Sequence, residues 1–271
     1  MKHFLSIKDI MNTTRKTKID QRGHSKWLLM LAACSCMLLI AGCAEQAKPP
    51  GKDVGTQLDA ELPADIANLP LIDSNGKKTN LAAFRGKVLM ISDTMTLCEE
   101  TCPLDTANLV QTARQINKTG NGADVAFISI TVDPARDTVP QIAAYRKLYA
   151  PSPANWHVLT GTPGDIHKLW KFFGVYWQKQ KPDSPDAKNW RTGKKLTYDI
   201  GHSDEIFFLD RKGHERYILE GAGNVQAGTV LPKTIRNYLN DEGNQNLKHP
   251  SQQTWKVSQA IQTIKWLRGV G

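Results

Sequence analysis

Two short apolar runs bracket an amphipathic stretch, and this order limits the fold more than any other feature of the chain. Val88–Ser92 (VLMIS) and Asp124–Val132 (DVAFISITV) lack the alternation of a half-exposed strand, which suits strands buried on both faces. Between them, residues 103–117 carry Leu104, Ala107, Leu109, Val110, Ala113 and Ile116, mostly at helical spacing. Strand, helix and strand in this order predict a parallel crossover, because parallel neighbours need a long connection.

The alternation continues downstream. Thr138-Val139-Pro140-Gln141 reads as a capping box opening a helix that runs to about Tyr149. Trp156–Thr160 is a further strand, and Pro163–Phe172 a further helix. Glu205–Asp210 and Glu215–Leu219 read as a hairpin around Lys212-Gly213, followed by a last helix near Thr229–Leu239. Upstream, Asn75-Gly76 marks the tight turn of a leading hairpin. The expected fold is α/β over residues 62–240, a central mixed sheet flanked by helices with an N-terminal hairpin extension.

Charge becomes informative once it is located. The 271 residues hold 35 Lys+Arg against 26 Asp+Glu, a formal +9. Residues 1–42 contribute seven basic side chains against Asp9 and Asp20, which leaves +4 for the remainder. A charge of that size supplies little counterion release, so no nucleic-acid partner is expected.

Residues 27–42 (WLLMLAACSCMLLIAG) are an uncharged apolar run behind that basic stretch. A membrane-spanning helix needs about 20 residues, whereas a signal-peptide core is shorter. The run ends in Leu39-Ile40-Ala41-Gly42-Cys43, which resembles a bacterial lipobox. Residues 1–42 are therefore expected to be a lipoprotein signal peptide and Cys43 the lipidated residue, with an uncleaved anchor as the alternative. Both place the remaining chain at a membrane, facing the periplasm. Residues 43–61, rich in Pro, Gly and Lys at their start, read as a flexible tether.

Beyond Cys43 the only cysteines are Cys98 and Cys102, in TLCEETCPLD between the first strand and the first long helix. Pro103 disfavours the α region for Cys102 yet suits the first turn of a helix. Cys102 is thus expected at or beside the helix start, with Cys98 in the preceding loop. A structural disulfide closing so small a loop constrains little chain entropy. A structural zinc site requires further ligands, and the chain supplies no more thiols. The remaining reading is a functional dithiol, either a soft low-coordinate site suited to Cu(I) or a redox couple.

Three stretches together resemble the Sco/SenC family: LPLIDSNGKKTNLAAFRGKVLMISDTMTLCEETCP, FISITVDPARDT and YDIGHSDEIFFLDRKG. That family comprises thioredoxin-fold copper proteins that help assemble the dinuclear copper site of cytochrome c oxidase. The resemblance runs from about Leu69 to Leu239. It implies that Cys98, Cys102 and His202 hold one copper ion, with Cys98 and Cys102 the redox pair of any thiol–disulfide activity. Implied partners are the copper-accepting oxidase subunit, a thioredoxin-like reductant and an upstream copper donor. Asp133, Pro134, Arg136, Asp137 and Thr138 match the family's DPxRDT, read here as a turn with an Arg136–Asp137 ion pair and a capping threonine. Two positions depart from the pattern: Glu99 stands where proline is usual, and Gly201 where an aspartate precedes the histidine. The second change removes the carboxylate expected to orient the imidazole.

The rival functions are a thiol–disulfide oxidoreductase acting on a copper acceptor, and a redox or copper sensor. A peroxidase fits poorly, since Met95 stands where a peroxide-activating threonine is required. His157, His167, His214 and His249 carry no motif and read as solvated or locally bonded. The basic segment Trp177–Lys195 reads as a solvated loop. Beyond Asp241, residues 241–271 form an extension in which Val257, Ala260, Ile261, Ile264 and Leu267 share a helical face, expected to pack on the domain.

Overall fold

The computed structural model describes residues 48–270 except 183 and 252. The expected signal peptide, residues 1–42, and the lipidation residue Cys43 lie outside the described residues.

Strand β4 (Val88–Thr94) is buried at every position and occupies the middle of an eight-stranded sheet. It pairs in parallel with β5 (Val125–Thr131), which pairs in parallel with β6 (Trp156–Gly161). On its other edge β9 (Glu205–Leu209) is antiparallel to β4 and joined by a hairpin to β10 (His214–Glu220). The leading hairpin, β2 (Leu71–Asp73) and β3 (Lys78–Thr79), extends the sheet beyond β6. The sheet is mixed because helices return the chain in parallel while tight turns reverse it.

The connection between β4 and β5 is helix α2 (Cys102–Lys118); a one-turn helix, α1 (Ala64–Ala67), precedes the leading hairpin. Helices α3 (Val139–Leu148) and α4 (Pro163–Phe173) flank β6 in sequence. Side chains of β4 alternate between two cores, as a period of two requires. Val88 and Met90 join Leu109, Val110, Ile142 and Tyr145, while Leu89 and Ile91 join Ile66, Ile166, Leu169 and Trp170. A β-α-β unit with a cysteine pair leading its helix, closed by an antiparallel hairpin on the far edge of the first strand, is the thioredoxin-like arrangement.

Four local expectations need correction. The tether expected over 43–61 ends early: β1 (Thr56–Glu61) is an edge strand on β10, although nearly all its side chains are exposed. Backbone pairing, not apolar burial, holds it, so hydropathy carried no sign of it. The capping box at Thr138 is not formed. The side chain of Gln141 is spent elsewhere: Nε2 donates to Thr96 Oγ1, and Oε1 accepts from Asn189 and Arg191. The helix expected near Thr229–Leu239 is a single turn, α5 (Lys233–Arg236), held short by Pro232 at its start. The segment Trp177–Lys195 is no free loop. Its first residues form β7 (Trp177–Gln180), Ala187 is buried, and Trp190 Nε1 donates 2.7 Å to the carbonyl of Thr96.

The residues after 240 belong to the same core as those before. Helix α6 (Asp241–Lys248) is followed by β12 (Thr254–Trp255), which pairs in parallel with β11 (Ala222–Gly223), and by α7 (Val257–Gly269). Trp255, Ala260, Ile264, Trp266 and Leu267 are buried in the core that contains Val88 and Phe127. Among the described residues no helix is long and apolar enough to cross a membrane.

Candidate metal centre

The cysteine loop leaves the end of β4 through a turn in which Cys98 N–H donates to the Met95 carbonyl. Pro103 lies in the first turn of α2 and Cys102 is its first residue, so the helix start fixes one thiol while the loop carries the other. Thr101, the N-cap, makes no side-chain cap. Its hydroxyl instead donates 3.0 Å to Asp204 Oδ1, tying the cysteine loop to the loop after His202.

His202 ends β8 (Asp199–His202), which is held against β7 with Trp177 opposite His202. Its Nε2 lies 3.2 Å from Cys102 Sγ. Cys98 and Cys102 are both free and buried, and Cys98 Sγ accepts from Glu100 N–H at 3.4 Å. Cys102 and His202, both named from sequence, meet directly; Cys98 lies in the loop four residues ahead of Cys102 and is not one of the grouped donors. Donor atoms of Cys102, His202 and Asp204 all lie within 4.8 Å of one another. His157, His167, His214 and His249 are not among them.

The imidazole does have a carboxylate behind it, contrary to the expectation drawn from Gly201. Nδ1 of His202 lies 2.8 Å from the Ser203 carbonyl, which accepts its hydrogen bond, and 2.7 Å from Asp93 Oδ2. Asp93 is buried and its Oδ2 meets no aligned hydrogen-bond donor, so it acts on the ring as a close counter-charge. Its Oδ1 accepts from Glu205 N–H at 3.2 Å. This role is filled from β4, far upstream in sequence, and not from the residue before the histidine. The available signal was an acidic side chain at the end of a strand that opens with a continuous apolar run, immediately ahead of the cysteine loop.

Charge is distributed unevenly across the cluster. The hydrogen bond from Cys102 holds the Cys98 thiol below its ordinary range against the opposing cost of burial, with His202 assisting. Burial pushes Cys102 well up, and the negative charge favoured on Cys98 adds to it. For His202 burial favours the neutral ring, but Asp93, Asp204 and Cys98 outweigh it and raise the imidazole well above its usual value. Burial also lifts Asp204 to about 6. Of the two thiols, Cys98 is thus the more acidic and Cys102 the less. Soft thiolates and an imidazole beside them suit a soft, low-coordinate metal, so the donor chemistry fits copper.

The DPARDT segment holds both halves of the cluster, though not through the expected Arg136–Asp137 pair. Arg136 pairs with Asp133, donates 2.6 Å to the Tyr198 carbonyl and lies 4.1 Å from the Tyr198 ring centre. It thereby fixes the strand that ends in His202. Asp137 accepts from the Thr96 N–H at 3.1 Å, from the Thr96 hydroxyl, and from Thr131 Oγ1 at 2.7 Å. It thereby fixes the turn that leads to Cys98.

A family model described as SCO1/SenC matches residues 64–240. Among curated proteins, the mitochondrial SCO1 homolog 1 of Arabidopsis thaliana is 32% identical over 116 residues, 43% of this chain and 34% of that protein. Protein sco1 of Schizosaccharomyces pombe is 30% identical over 168 residues, 62% of this chain and 58% of that protein. The mitochondrial SCO2 homolog of Bos taurus is 29% identical over 143 residues, 53% of this chain and 49% of that protein. The chain spans about a third to three fifths of the length of these relatives. Similar solved structures include a SCO1/SenC family lipoprotein from Bacillus anthracis, with a TM-score of 0.49 and 23% identity over 68% of this chain and 95% of that one. Another is Arabidopsis thaliana ScoI with copper bound, with a TM-score of 0.45 and 24% identity over 62% and 87%. The family match covers more than half of the chain and contains Cys98, Cys102 and His202, and this protein belongs to the SCO1/SenC family.

Proposed function

We propose that this chain is a membrane-tethered metallochaperone that binds one copper ion as cargo and delivers it to the dinuclear copper site of cytochrome c oxidase. Cys98 and Cys102 as thiolates and neutral His202 would hold the ion, with Asp93 orienting the ring and Asp204 close by. A lipid on Cys43 would anchor the domain on the periplasmic side of a bacterial membrane. The observation that carries the reading is the contact of Cys102 Sγ with His202 Nε2, with a second free cysteine in the adjoining loop and a buried carboxylate behind the ring.

The sulfurs that hold copper cannot at the same time form a disulfide. Loading therefore needs the reduced pair, which in an oxidising compartment implies a thioredoxin-like reductant as a partner besides the copper-accepting oxidase subunit and an upstream copper donor. The free dithiol, with Cys98 the more acidic of the two, also supports a second reading, a thiol–disulfide oxidoreductase acting on the acceptor's cysteines, or a sensor built on the same couple. The two readings part at His202. In an anaerobic Cu(I) titration of the reduced protein against a competing chelator, metal delivery predicts one tightly held ion, weakened in His202→Ala. A reductase predicts no tight copper and an unimpaired disulfide cycle in that variant.

A further inference from the structure

We propose that the start of helix α6, through Asn240 and Gly243, is a clamp on the loop between the two cysteines that holds the pair in its dithiol arrangement. This rests on Cys98 and Cys102 being the working pair. It adds a part of the machine that lies at and beyond the end of the family match, residue 240.

Glu99, Glu100 and Thr101 separate the cysteines, so backbone movement that closes the pair moves them. Asn240 N–H donates 3.1 Å to the Glu99 carbonyl, and Asn240 Nδ2 donates 2.9 Å to Glu100 Oε1. Asn240 is itself fixed, because its Oδ1 caps α6 by accepting from Gly243 N–H at 2.8 Å. Gly243 completes the grip by its lack of a side chain. A Cβ there would lie 2.1 Å from the Glu99 oxygen and 3.1 Å from Glu100 Cα. The loop is held from its flanks as well, by Tyr238 Oη donating 3.4 Å to the Leu97 carbonyl and by Thr101 Oγ1 on Asp204.

A disulfide needs its sulfurs at about 2.05 Å and its β-carbons at about 3.8 Å. The two cysteines here are free, in a loop whose intervening carbonyl and side chain are both engaged by the start of α6. Oxidation removes two electrons and two protons from the thiols and forms one S–S bond. With glutathione disulfide as oxidant, the same electrons and protons yield two molecules of glutathione. The clamp favours the reduced side of this exchange to the extent that closure strains it.

The test is the equilibrium of the Cys98–Cys102 pair in glutathione buffers, on the full chain without copper, so that it is independent of metal binding. Asn240→Asp keeps the helix cap but replaces the donor to Glu100 by a carboxylate facing a carboxylate. It is expected to shift the equilibrium about tenfold toward the disulfide, or about 30 mV. Adding Glu100→Gln returns a donor and acceptor across the contact with their roles exchanged, and is expected to restore the wild-type ratio, which a general loss of stability would not allow. Gly243→Ala, which forces the Glu99 carbonyl away, is expected to shift the ratio in the same direction. Wild-type ratios in both single variants, or failure of the double variant to recover, overturn the clamp. Neither result touches the copper titration of the wild-type protein, which alone decides the metal reading.

Discussion

Oδ2 of Asp93 lies 2.7 Å from Nδ1 of His202, behind the ring whose Nε2 faces Cys102. A carboxylate so placed fixes the orientation of the imidazole and raises its basicity, and partners of this kind change metal affinity without touching the metal. The buried end of β4 that carries Asp93 and the end of β8 that carries the histidine are thereby made parts of one centre.

Asp93→Asn removes the counter-charge while keeping an oxygen for the Glu205 N–H. Cu(I) affinity is expected to fall about 10–100-fold, as for other partners of metal-ligating histidines. Competition against a chelator of known affinity measures it. An affinity within threefold of wild type would show that Ser203 alone positions the ring.

Asp137 lies at the meeting point of three donors, two from Thr96 and one from Thr131. Asp137→Ala strands all three in the interior, at about 1–3 kcal/mol for each group left unpaired and not relieved by water. The expected result is a lower Tm, together with faster alkylation of Cys98 as the turn before it loosens. Unchanged alkylation in a destabilised variant would confine Asp137 to stability.

The cysteine pair and His202 were readable from sequence because each sits in a compact local pattern. Asp93 was not, since its relation to His202 exists only once β4 and β9 are paired. Asn240 and Gly243 were invisible for the same reason: nothing near them mentions the cysteine loop they touch. Among secondary elements, the strands buried on both faces announced themselves by continuous apolar runs, as at Val125–Ile128. The exposed β1 did not, because pairing with β10 depends on backbone groups that any sequence has. The capping box failed at Gln141 because tertiary partners offered its amide more than the helix end did.

Glu215, on β10, is buried, and burial lifts its carboxyl to about 7. In the unfolded chain a glutamate titrates near about 4.3. The protonated native form therefore contributes stability that is fully present below about pH 4.3 and is lost as pH rises through about 7. Glu215→Gln removes the titration. Relative to wild type it is expected to gain on the order of 1–3 kcal/mol above pH 7 and nothing at pH 4. Urea midpoints across this range measure the difference, and a gain that does not grow with pH would reject the assignment.

Truncation after Lys248 is expected to abolish folding, even though it spares the whole SCO1/SenC match and every residue of the metal centre. The lost segment supplies Trp255, Ala260, Ile264, Trp266 and Leu267 to the core shared with β4 and β5. Trp255 also donates 2.6 Å from Nε1 to Asp105, a buried carboxyl one turn into the helix that begins with Cys102. Burying each large apolar side chain is worth about 1.5–3 kcal/mol, so four of them approach the 5–15 kcal/mol that separates folded from unfolded states in most domains. Removal also leaves Asp105 without its indole donor and exposes the apolar faces of Tyr217 and Leu219, which the segment covers. Circular dichroism and solubility of the truncated chain decide the point. A folded, soluble product would mean that residues 249–271 are an appendage, and the boundary expected at residue 240 would then stand as a true domain end.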